Sequence, residues 1–244
     1  MQKNSKLTFL FIGTYKKKFN NFFEEISNFT LFISRFFVEV LKRPYEWNEL
    51  IKQSYVIGYK SLPLICITGF IMGLVLTIQS QPTLAQFGAE SWLPAMVTVS
   101  IIREIGPVIT ALIFAGKVGS GIGAELASMK VTEQIDAMEV AGNNPFKYLV
   151  VTRILATTLT LPFLTLFNDF IGMIGSFIGV NINGDVNFHL YFTKAIAVLT
   201  FMDFFPALFK TMFFGLSIGI IACYQGYNSI KGTEGVEKRP ILLL

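Results

Sequence analysis

Charge is scarce in this sequence. Charged residues fill 15% of the 244 positions and hydrophobic ones 52%, whereas a soluble domain carries about 25% charge. The deficit lies in long apolar runs after residue 60, each long enough to cross a bilayer. Lipid is therefore the solvent expected for most of the chain. Histidine occurs once, at His189, without cysteine or histidine companions, which argues against a metal site. The two cysteines, Cys66 and Cys223, sit inside apolar runs with no disulfide or metal spacing and read as small hydrophobes. The phosphate-loop pattern Gly-x-x-x-x-Gly-Lys-Ser/Thr is missing: the glycine run after Gly116 contains Lys117, but Val118 follows it. The His-Glu-x-x-His pattern is absent as well. The expectation is a subunit that holds no cofactor and catalyses no reaction of its own.

The charge that is present is unevenly placed. Net charge is +4, and ten of the twenty Lys and Arg residues precede position 61, interleaved with Phe and Ile. That pattern suits a membrane surface rather than nucleic acid. After Lys6 the apolar stretch Leu7 to Ile12 is short and soon meets Lys16-Lys17-Lys18, so the N-terminus is expected to be retained rather than cleaved as a signal.

From Phe19 to Leu41 the apolar positions recur every three or four residues, with Asn20, Glu24, Asn28, Arg35 and Glu39 elsewhere. This predicts an amphipathic helix in the headgroup plane, or one packed on a soluble partner. Pro44 ends it, and Trp47, Leu50, Ile51 and Tyr55 restart the pattern as an elbow. Four spans are expected, at about 61–78, 92–115, from 148 onward, and 202–224. The third apolar region reaches Ile182; as one helix of roughly 50 Å it exceeds a core of about 30 Å, so it must tilt, project or break at Asn168-Asp169. The fold class is thus an all-α integral membrane protein, with N-terminal interfacial and elbow helices over 1–60, a membrane domain over 61–236 and a tail over 237–244. The segment before residue 61 and the loop holding Lys117, Lys130, Lys147 and Arg153 are basic, while the loop from Gln79 to Ser91 has no Lys or Arg. Both termini are therefore expected in the cytoplasm.

Three features could carry function. Gly69 and Gly73, Gly175 and Gly179, and Gly215 and Gly219 put small residues one turn apart in three spans, predicting close helix packing, within the chain or with a partner. Arg103 and Glu104 lie mid-span, where ionisable groups are costly and a functional role is the default. Lys210 is the expected partner of Glu104, with Asp169 and Asp203 nearer the outer end; a substrate pathway and a structural ion pair are both open readings. Between the second and third spans, a glycine-rich hinge enters a helix with Val131, Ile135 and Met138 on one face and Glu133, Asp136 and Glu139 spread around another. Such a helix suits docking into a groove of a soluble partner, or lies back on its own bundle.

Arg103-Glu-Ile-Gly-Pro-Val108, Ala115-Gly-Lys-Val-Gly119, Gly123-Ala-Glu125, Met129-Lys-Val-Thr-Glu-Gln-Ile-Asp-Ala137 and Gly232-Thr-Glu-Gly-Val236 together resemble the MlaE (YrbE) permease family, over roughly residues 45 to 236. The resemblance implies an ABC transporter permease in the bacterial inner membrane. It further implies a homodimer that works with a separate soluble ATPase, which binds the ATP, and a periplasmic MCE-domain protein to move phospholipid between inner and outer membranes. Glu125 and Met129 would then join Val131, Glu133, Ile135, Asp136, Met138 and Glu139 in coupling to the ATPase. Family members continue past the Gly232 motif into one more membrane helix. Here Glu237 to Leu244 closes the chain, and eight residues cannot span a bilayer. The expectation is a member lacking that last helix. Two other classes stay open on the residues alone: a secondary transporter or channel using Arg103, Glu104 and Lys210, and a membrane assembly subunit with no transport path.

Overall fold

The computed structural model describes residues 2–182 and 186–229, with side chains from residue 22 onward. The described residues are helical or lie in short turns, with no strand among them. Gly232 to Val236 and the tail lie outside the described residues.

The chain forms two units, residues 1–45 and 46–244. The first is one helix, α1 (Gln2–Leu41), which contains the amphipathic stretch expected from Phe19 and extends it toward the N-terminus. It stops short of Pro44, whose ring disfavours helix in the residue before it.

The second unit contains α2 (Trp47–Gln86), α3 (Glu90–Val131), α4 (Gln134–Val140), α5 (Phe146–Asn181), α6 (Phe188–Ala197) and α7 (Phe201–Tyr227). Of these, α2, α3, α5 and α7 are long and apolar enough to cross a membrane. Their number matches the four spans expected, but their lengths do not. The elbow expected before residue 61 is continuous with the first span in α2. The second span does not end at Ala115: α3 runs on through the glycine stretch for 42 residues, about 63 Å. The glycines after Gly116 are therefore not a hinge. Ala115–Gly119 is a turn of wider π geometry, and regular helix resumes at Ser120. Helix α5 is likewise unbroken at Asn168-Asp169.

Glycine explains how these helices approach. A Cβ on Gly69 would lie 2.7 Å from the Asn168 carbonyl oxygen, one on Gly73 would lie 2.7 Å from the Gly172 carbonyl carbon, and one on Gly179 would lie 3.0 Å from Thr77 Cβ. Gly175 leaves the same kind of room for the Phe70 backbone. Thus α2 lies along the second half of α5. At the other half, a Cβ on Gly215 would sit 2.6 Å from the Thr157 carbonyl oxygen and one on Gly219 3.1 Å from Ile154 Cα, which brings in α7. All six glycines meet a neighbouring helix within the chain, and Gly73, Gly175 and Gly215 do so backbone against backbone, the arrangement small residues permit in lipid.

A hydroxyl chain fixes α6. Tyr191 donates to Ser176 Oγ at 2.6 Å, Ser176 and Thr77 share a hydrogen bond of 2.5 Å, and Thr77 also donates to the Gly73 carbonyl at 2.9 Å. Around it Leu93, Val97, Ile101, Ile102, Met173 and Val180 form an apolar core. Each of these three buried hydroxyls therefore has a partner, as burial demands.

Candidate functional site

Midway along α3 the helix widens at Ile101–Ile105, where the Gly106 N–H reaches back five residues to the Ile101 carbonyl. Single π turns of this kind are frequent at functional sites. Pro107 follows and has no N–H, so the Arg103 carbonyl lacks the donor a regular helix would provide four residues on. Lys210 of α7 supplies one: its Nζ donates to the Arg103 carbonyl at 3.0 Å and to Glu104 Oε2 at 3.0 Å. The Glu104 to Lys210 pairing expected from the sequence is thus present.

Arg103 turns away from Glu104, as adjacent helical residues do by about 100°, and its guanidinium meets Asp203, with Nε at 2.7 Å and a terminal nitrogen at 2.6 Å from Oδ1. The other oxygen of Asp203 accepts from the Thr200 N–H at 2.8 Å and its hydroxyl at 2.9 Å, closing a capping box at the start of α7. Asp203, at the start of α7, thereby completes a quartet with Arg103, Glu104 and Lys210. The sequence held a signal for this, since Thr200-x-x-Asp203 has capping-box spacing and Asp203 and Lys210 are seven residues apart, two turns along one face. Asp169, on α5, abuts Gly106 on α3.

The quartet sums to zero charge and opens on one side. The Asp203 side chain is only 6% exposed, but that of Glu104 is 70% exposed on the surface of the single chain. Ionisable groups in a bilayer cost at least about 2.5–3.5 kcal/mol unless paired or hydrated. Lipid tails alone are thus a poor neighbour for this face.

At the far end of α3 the chain turns back. Helix breaks at Thr132-Glu133, where Glu133 adopts a left-handed conformation (φ 60°) uncommon outside glycine. Val131 therefore belongs to α3, and Ile135 and Met138 to α4, so the single apolar face expected of them does not form. Ile135 is 1% exposed and buried in the bundle, not on a free docking face. Met129 and Met138 are half-buried, Glu139 is exposed, and Val140 is 90% exposed. Lys130 spans the turn to Asp136 at 2.8 Å. Glu125 pairs at 2.8 Å with Arg153, which is 2% exposed and also donates to the Leu149 carbonyl at 3.0 Å. Arg153 was counted above only as a loop charge; it anchors α3 to α5.

The MlaE permease family model matches residues 50–240. The chain belongs to this family. A probable ABC transporter permease protein of Rickettsia prowazekii is 39% identical over 88% of this chain and 83% of its own length. One from Synechocystis is 34% identical over 82% of this chain and 76% of its own. The intermembrane phospholipid transport system permease protein MlaE of Haemophilus influenzae is 34% identical over 78% of this chain and 73% of its own. Four apolar helices and this membership describe a multi-pass membrane protein, the permease component of an ABC transporter rather than an enzyme by itself. The MlaE match takes in the quartet and the α3–α4 turn, and it begins inside α2, leaving α1 outside it.

Proposed function

We propose that this chain is the membrane-embedded half-site of an ABC system that moves phospholipid between the inner and outer membranes of a bacterium. Two copies would pair in the inner membrane with both termini cytoplasmic, a soluble ATPase would dock at the α3–α4 turn, and a periplasmic MCE-domain protein would complete the path. The observation that carries this reading is the exposed Glu104 and Lys210 pair midway along membrane-spanning helices. A head group crossing a bilayer needs polar contacts where tails offer none, and a second copy facing the first would enclose such a polar space. Reconstitution of the complex with its ATPase into vesicles tests it. Glu104→Gln should slow ATP-dependent lipid exchange at least ten-fold while insertion and pairing of the copies persist.

A second reading has its own support in the 3.0 Å bond between Glu104 and Lys210, which would also serve as a lock between α3 and α7. A Glu104→Gln protein that melts early yet transports at the normal rate once stabilised would favour the lock and sink the pathway role.

A further inference from the structure

Asp169 of α5 is 6% exposed, and its Oδ1 is buried with no hydrogen-bond partner. That oxygen is pressed against Gly106 of α3, in the space a Cβ there would take, and the Ile101 carbonyl oxygen comes within 2.9 Å of the same point. Two oxygens from different helices thus converge beside one glycine. The Ile101 carbonyl accepts the Gly106 N–H across the π turn and keeps a second lone pair. It can take another donor.

An ionised carboxylate offers no donor, since both its oxygens only accept, whereas the neutral acid carries one O–H. Among the described residues no ion pair includes Asp169. Arg103 is held by Asp203, Lys210 by Glu104 and Arg153 by Glu125, and α2 carries no charged residue from Ser61 to Gln86. The Asn168 side chain hydrogen-bonds the carboxyl without serving its Oδ1, and the amide oxygen of Asn168 faces Gly69 of α2 instead. That bond brings no charge. A buried carboxylate with no cation is costly enough that the group neutralises by taking up a proton.

We propose that Asp169 stands in the folded chain as a neutral acid whose hydroxyl donates from Oδ1 to the Ile101 carbonyl, making it a positioning residue for the π turn that carries Arg103 and Glu104. The turn is then held by side-chain donors from two helices, Lys210 of α7 on the Arg103 carbonyl and Asp169 of α5 on that of Ile101. Gly106 admits the acid, because any side chain there would occupy its place. The contact sets the shape of α3 and does not depend on the transport reading above.

Infrared difference spectra of the full chain in an ester-free detergent at neutral pH, with and without carboxyl-labelled aspartate, test it. The wild type should show the C=O band of a protonated, hydrogen-bonded acid, and Asp169→Asn should remove that band entirely. Asp169→Asn keeps a donor in its amide and Asp169→Leu keeps none, so the first should melt near the wild-type temperature and the second several degrees lower. Gly106→Ala, which puts a Cβ where Oδ1 lies, should move the band to the higher frequency of an acid without an acceptor. A side chain that only fills space would give no such band and would be replaced equally well by Asn and Leu. The proposal is overturned if the wild type lacks the protonated-acid band, if Asp169→Asn retains it, if Asp169→Asn melts no higher than Asp169→Leu, or if Gly106→Ala leaves the band in place. Should the variants fail to fold, the wild-type spectrum decides, and absence of the band overturns the proposal.

Discussion

Lys210 donates from α7 to the backbone carbonyl of Arg103 on α3, the acceptor that Pro107 deprives of its helical donor. One side chain thus answers a vacancy made by another residue's missing N–H, and in doing so stands beside Glu104.

That relationship predicts a rescue. Lys210→Met leaves both the Arg103 carbonyl and Glu104 without their donor and should lower stability by about 1–3 kcal/mol, visible as a fall of several degrees in the detergent melting temperature. Pro107→Ala in that background restores an N–H four residues beyond Arg103. The double variant should recover part of the loss, whereas a further fall would show that the carbonyl was never short of a donor.

Gly73 faces the backbone of Gly172, which has no flexible side chain to give way. Gly73→Ala should force α2 and α5 apart and cost about 1–3 kcal/mol, as overpacking does. Gly121, beside which a Cβ would meet nothing within 4 Å, is the control; its change to Ala should be neutral or stabilising by up to about 1 kcal/mol. Melting temperatures of the two variants in the same detergent compare them directly.

At the α3–α4 turn, burial and exposure separate folding from docking. Ile135→Glu puts a charge into the bundle and should destabilise the chain itself, so that ATPase binding and melting temperature fall together. Val140→Glu changes an exposed side chain and should leave melting unchanged while reducing ATPase co-purification. Full co-purification with Val140→Glu would remove this residue from the docking surface.

The Glu125 to Arg153 pair calls for a double-mutant cycle. Glu125→Ala strands a buried guanidinium, and the loss of a partner in such pairs costs more than the loss of both. The single change should therefore lower the melting temperature more than Glu125→Ala combined with Arg153→Met. The opposite order would mean that Arg153 is satisfied without Glu125.

What could be read without coordinates was whatever depends on neighbours along the chain. Apolar run length determined the all-helical class and the number of long membrane helices, because crossing a bilayer is a demand on each segment separately. Small residues one turn apart marked Gly69, Gly73, Gly175, Gly179, Gly215 and Gly219, since a missing side chain permits close approach whatever helix arrives. Glu104 and Lys210 could be matched because each was a rare charge in an apolar span. The tertiary structure decided the rest. Arg103 meets Asp203 across one hundred positions, a contact set by how α3 and α7 are rotated about their axes, which periodicity within either helix does not specify. The glycines after Gly116 continue a helix because α7 packs on it there, Gly226 facing the Gly123 carbonyl, so neighbouring backbone supplies what glycine's low helix propensity withholds. Ile135 turns inward because Glu133 reverses the chain just before it. A left-handed conformation is uncommon outside glycine, and no residue type at this position marks it in the sequence.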